Sequence, residues 1–75
     1  AEAWKRLLLI AVILLLMLTE LLNTAIEKLA DVVNREHHPE IGTVKDMGSA
    51  AVGVALMIAG LTWLLAIGQW LAAWL

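Results

Sequence analysis

The sequence predicts an all-α membrane protein, a hairpin of two transmembrane helices that assembles into a helical oligomer. Three observations lead there. The chain is 63% hydrophobic with a mean hydropathy of +0.90, yet its 75 residues are too few to bury a large core in water. The apolar residues fall into two blocks, Leu7 to Ile26 and Met47 to Leu75, each as long as the roughly 20 residues a helix needs to cross a bilayer. Between them lies a polar link, REHHPEIG from Arg35 to Gly42, which holds the only proline and suits a turn between antiparallel helices.

The whole chain, 1–75, reads as one membrane domain. Its polar lead, AEAWKR, places Trp4, Lys5 and Arg6 where a membrane interface favours them. The first helix, about residues 3–34, is uninterrupted because no proline or glycine lies between Leu7 and Asn34. At about 1.5 Å per residue it exceeds the hydrocarbon thickness, so its last turns emerge into water. The link takes about residues 35–42. The second helix, about 43–75, has no charged residue from Met47 onward; Ser49, Thr62 and Gln69 are its polar side chains there. Lys28, Arg35 and Lys45 around the link outnumber Lys5 and Arg6 at the other end, which places the link in the cytoplasm.

Several classes are excluded. The net charge of −2 gives no basis for nucleic-acid binding. There is no cysteine, hence no thiol nucleophile or thiolate metal site. A signal peptide is disfavoured because no small-residue cleavage site follows the first block, and Glu20 and Glu27 continue its helix.

The segment ELLNTAIEKLAD, Glu20 to Asp31, is the informative one. With about 100° per residue, Glu20, Asn23, Thr24, Glu27, Asp31 and Asn34 share a stripe about 100° wide, and only Lys28 falls elsewhere. A charge facing lipid costs at least ~2.5 kcal/mol, so such groups turn toward a neighbour or a wet cavity and mark function. They could instead serve as packing glue with a solvated end. Glu20 and Glu27, roughly 10 Å apart along the axis, cannot chelate one ion alone; a metal site needs a second helix or subunit. In TVKDMGSAAV, Lys45 stands at a helix start where backbone N–H groups favour anions. The acidic stripe and the lysine together suit a polyphosphate with Mg²⁺, although Lys45 could equally be a snorkelling anchor. Ala51, Ala55 and Ala59 form a small-residue ridge for helix packing, as do Ser49 and Gly53. His37 and His38 read as an exposed link, and the four tryptophans as lipid or interface residues.

ELLNTAIEKLAD, the short link and KDMGSAAV together resemble the prokaryotic diacylglycerol kinases, small membrane lipid kinases whose Gram-positive relatives phosphorylate undecaprenol. The match runs from about Glu20 to Val52 without a gap. Its paired signature, E-x-x-N-[ST]-A-I-E-x-x-x-D and K-D-x-[GA]-S-A-A, is specific. The resemblance implies ATP- and Mg²⁺-dependent phosphorylation of diacylglycerol to phosphatidic acid at a site on the cytoplasmic side of the bacterial inner membrane. Glu20 would be the base, with Asn23 beside it. Glu27 would hold Mg²⁺, Lys45 would contact the phosphates of ATP, and Asp31, Glu36, His38 and Asp46 would line the nucleotide site. Two alternatives stand beside this reading: an undecaprenol kinase, and a catalytically silent membrane scaffold.

The resemblance also implies a homotrimer with shared active sites, built from three membrane helices and an N-terminal surface helix. This chain starts at the family's second membrane helix. The family's second metal-binding glutamate falls in the preceding part, and Glu2 lies at the opposite end of the first helix from Glu27. A fragment, an engineered core and a natural short form all fit that beginning.

Overall fold

The computed structural model describes residues 3–33 and 39–75, which form two helices, α1 (Ala3–Val33) and α2 (Pro39–Trp74), with Leu75 beyond the second. The second helix takes in residues 39–42, which the sequence reading assigned to the link. Pro39 opens it, and proline suits a first helical turn because the N–H it lacks would have no intrahelical acceptor there. Glu40 in that turn is favoured by the helix dipole. Gly42 continues the helix, since no glycine among the described residues has a positive φ.

The helices pack antiparallel. Lys5 near the start of α1 reaches Gln69 near the end of α2, and Asp31 near the end of α1 meets Lys45 near the start of α2. Along α1 the buried and half-buried positions are Lys5, Leu9, Val12, Leu16, Thr19, Asn23, Ile26 and Ala30, flanked by Glu27. Along α2 they are Ile41, Lys45, Gly48, Val52, Ala55, Ala59, Thr62 and Ala66, flanked by Gly53. Both series alternate steps of three and four, the seven-residue repeat of left-handed helix pairs. The most buried members are small or short, Val12, Ala30, Gly48, Ala55 and Ala59, which lets the backbones approach closely. Ala51, expected on the packing ridge, is exposed instead.

Most large apolar side chains face outward. Leu7, Leu21, Leu29, Leu61, Leu64 and Leu65 are each more than 60% exposed, a surface that water would not tolerate and lipid accepts. Only 6% of the most apolar stretch of α1 and 11% of that of α2 is buried, which distinguishes them from the core helices of a soluble protein. Both helices are long and apolar enough to cross a membrane. The hydroxyls of Thr19 and Thr62 donate to the carbonyls of Leu15 and Ile58, each at 2.7 Å, so neither faces hydrocarbon unpaired.

Candidate functional site

The polar stripe of α1 does not coincide with the seam. Counting about 100° per residue, the seam of α1 is centred some 60° to one side of the stripe. Asn23 and Glu27 lie on the edge nearest α2 and are half-buried. Glu20 and Thr24 are exposed on the open flank. Asp31 marks which flank that is, because Lys45 of α2 reaches around to it, with Nζ donating to Oδ1 at 2.5 Å. One side of the hairpin, at its link end, therefore gathers three carboxylates, an amide and a lysine.

Two interactions organise this end. Asn23 Nδ2 donates to Glu27 Oε1 at 3.1 Å, one helical turn away. Its Oδ1 is buried without a hydrogen-bond partner among the described residues and presses on Gly48, where any Cβ would collide with it. Glycine at 48 is thus what admits the Asn23 amide to the seam. Asp31 and Lys45 form the second interaction. With side chains 66% and 40% exposed, they make a solvated pair worth little to stability, so Lys45 is not committed to a structural role.

The expected site residues are only partly drawn together. Asn23 and Glu27 are linked, and Lys45 and Asp31 are linked. Glu20 and Asp46 are exposed and make no hydrogen bond or ion pair among the described residues. Glu36 and His38, expected to line a nucleotide site, lie outside the described residues, as do Glu2, Asn34, Arg35 and His37. Gly48 has no individual role in the sequence reading, yet the structure makes it a residue of the site. Its specific partner, Asn23, follows from the seven-residue register that the structure shows, which the sequence does not mark.

Among the described residues no three His, Asp or Glu side chains converge to hold a metal. A magnesium ion seldom needs such a cage, since it is bound by one or two carboxylates together with substrate phosphates. Glu27, half-buried and steadied through one oxygen by Asn23, fits that kind of ion.

The sequence profile of the family described as prokaryotic diacylglycerol kinase matches residues 1–67. A diacylglycerol kinase of Escherichia coli K12 is 47% identical over 62 residues, covering 83% of this chain and 51% of the relative. The diacylglycerol kinase of Pseudomonas aeruginosa is 52% identical over 59 residues, 79% of this chain and 48% of the relative. That of Haemophilus influenzae is 46% identical over 56 residues, 75% and 48%. The chain spans about half the length of the curated relatives it matches.

Proposed function

The chain belongs to the prokaryotic diacylglycerol kinase family, and we propose that it forms the catalytic hairpin of a kinase that transfers the γ-phosphoryl group of ATP to diacylglycerol. The supporting observation is the assembly of Asn23–Glu27 and Asp31–Lys45 on one flank at one end of the hairpin, with Glu20 deeper on the same flank. Phosphoryl transfer requires positioned phosphates, charge neutralisation and a base near the attacking hydroxyl, and this flank carries residues of each kind.

In this mechanism the lipid hydroxyl attacks the γ-phosphorus of ATP, the bond to the β-phosphate oxygen breaks, and ADP leaves. Glu20 accepts the hydroxyl proton. Lys45 exchanges Asp31 for the ATP phosphates, a substitution that costs little because the pair is solvated. Glu27, oriented by Asn23, would hold Mg²⁺, which would supply positive charge to the phosphates. Asp31 and Asp46, with Glu36 and His38, line the nucleotide.

The exposure of Glu20 bears on assembly. It lies about 20 Å short of the end of α1, inside the apolar span, and α2 leaves it uncovered. A carboxylate facing lipid there costs at least ~2.5 kcal/mol, so this flank needs a neighbouring helix, which a second copy of the chain would supply. A homotrimer in the bacterial inner membrane, with the link end in the cytoplasm, satisfies these requirements.

The test is lipid phosphorylation by the protein as its gene encodes it, reconstituted in vesicles with ATP and either diacylglycerol or undecaprenol, with and without Mg²⁺. Phosphatidic acid formed only with Mg²⁺ is the expected product. Phosphorylation of undecaprenol alone would reassign the substrate, and no transfer to either lipid would overturn the kinase reading.

A further inference from the structure

Glu27 has two carboxylate oxygens, and Asn23 commits one of them. Asn23 Nδ2 donates to Oε1 at 3.1 Å, while Oε2 accepts from none of the described residues. The orientation of that amide is fixed from both sides. A carboxylate only accepts, so Nδ2 must face Glu27 and Oδ1 must face the seam. There Oδ1 is buried without a hydrogen-bond partner among the described residues and rests against the buried Gly48. The Gly48 hydrogen that stands where a side chain would begin points at this oxygen, a weak C–H···O contact. Ile26 Cγ2 closes the same space, 4.0 Å from where a Cβ at residue 48 would be. An orphaned buried acceptor calls for an explanation, and the placement of Nδ2 on Glu27 supplies one.

We propose that Gly48, acting through Asn23, makes Glu27 a one-oxygen ligand and so sets the preference of the site for Mg²⁺ over Ca²⁺. The proposal rests on the kinase reading, in which Glu27 would hold Mg²⁺. The two ions ask different things of a carboxylate. Mg²⁺ keeps to octahedral coordination, retains several waters and is satisfied by single oxygens from one or two carboxylates together with phosphates. Ca²⁺ takes six to eight oxygens and readily uses both oxygens of one carboxylate. An ion that takes both oxygens of Glu27 must compete with the Asn23 N–H for Oε1, whereas an ion content with Oε2 leaves the hydrogen bond in place. Gly48 is thus a positioning residue, touching neither metal nor substrate, and its effect passes entirely through the Asn23 amide.

The protein as its gene encodes it is reconstituted in vesicles with a non-hydrolysable ATP analogue and loaded with Mn²⁺ as the probe. Electron paramagnetic resonance measures the Mn²⁺ released as Mg²⁺ or Ca²⁺ is added, with protein-free vesicles and analogue as the baseline. Mg²⁺ should release Mn²⁺ at the lower concentration. Asn23→Ala and Gly48→Ala, checked for retained helix content by circular dichroism, should each narrow the ratio of the two concentrations by about fivefold, the worth of one hydrogen bond that Ca²⁺ no longer has to break. The double variant should narrow it no further than Asn23→Ala alone, because both changes remove the same contact. Equal release by the two ions in the parent protein, an unchanged ratio in either single variant, or additive effects in the double variant would overturn the proposal. Glu27→Gln separates this inference from the reading beneath it. Mn²⁺ held as tightly by that variant as by the parent would overturn the metal assignment of Glu27 and this inference with it. Weakened Mn²⁺ binding in Glu27→Gln together with an unchanged ratio in Asn23→Ala would overturn this inference alone.

Discussion

Asn23 and Gly48 meet across the helix seam so closely that a single added carbon at residue 48 would displace the amide. A Cβ there would collide with Asn23 Oδ1 and stand 3.3 Å from Asn23 Cγ. The obstacle is the end of a side chain and not backbone, so the amide yields and the helices stay in place. Gly48→Ala should therefore turn Asn23 away from Glu27 and break their 3.1 Å hydrogen bond. The loss of about 1 kcal/mol from that bond is offset by alanine's comparable advantage over glycine within a helix. Hairpin stability should be nearly unchanged while the Asn23 side-chain amide resonances shift. Unperturbed resonances would show that Gly48 does not set the position of Asn23.

The register of the seam gives a second prediction. Ala55→Leu and Ala59→Leu insert bulk where the helices touch, and overpacking of this kind costs about 1–3 kcal/mol. Ala51→Leu, on an exposed face, should leave hairpin stability within about 0.5 kcal/mol. Energy transfer between dyes on the two helices, followed as denaturing detergent is added, separates the cases. Equal sensitivity at all three alanines would favour the four-residue ridge over the seven-residue seam.

Lys45 and Asp31 should contribute little to folding and much to nucleotide binding. A double-mutant cycle with Lys45→Gln and Asp31→Asn should give a stability coupling below about 1 kcal/mol, as solvated ion pairs do. Lys45→Gln alone should raise the KM for ATP at least tenfold, the loss of one charge-assisted contact of about 1.5–3 kcal/mol. A large stability coupling with an unchanged KM would make Lys45 a structural anchor.

The proposed homotrimer gives a fourth prediction, motivated by the open flank of α1. In mild detergent and in bilayers the protein should carry the mass of three chains, and Glu20→Leu should remove one reason for that assembly without disrupting the hairpin. Light scattering combined with size exclusion measures the mass. A monodisperse monomer in both environments would show that Glu20 is tolerated without a partner.

Much of this architecture was legible in the sequence. The two apolar blocks define the helices because nothing between Leu7 and Asn34 breaks the first and no charge interrupts the second after Met47. The three- and four-residue spacing of Glu20, Asn23, Glu27 and Asp31 gives their common stripe. The phase of the seam was not legible, because α2 is apolar around its whole circumference beyond Met47 and no face of it is marked for packing. Hence Ala51 looked equivalent to Ala55 and Ala59, although a 3.5-residue repeat turns it outward. For the same reason the stripe did not disclose that Asn23 and Glu27 border the seam while Glu20 and Thr24 face away from α2. Pro39 was read as part of a turn, yet proline is equally at home in a first helical turn, and local sequence does not separate the two.

The central claim, that the flank at the link end performs phosphoryl transfer, is tested most directly by comparing Glu20→Gln with Glu27→Gln in the active protein as its gene encodes it. The two carboxylates share a stripe but have different neighbours, so glutamine should disable them differently. Glu20→Gln removes a base and should lower kcat by ~10² to 10⁴, with nucleotide binding and Mg²⁺ dependence nearly intact. Glu27→Gln removes a charge that Asn23 steadies and should raise the Mg²⁺ and ATP concentrations needed for half-maximal rate. Wild-type turnover and metal dependence in both variants would contradict the assignment of this flank as the kinase site.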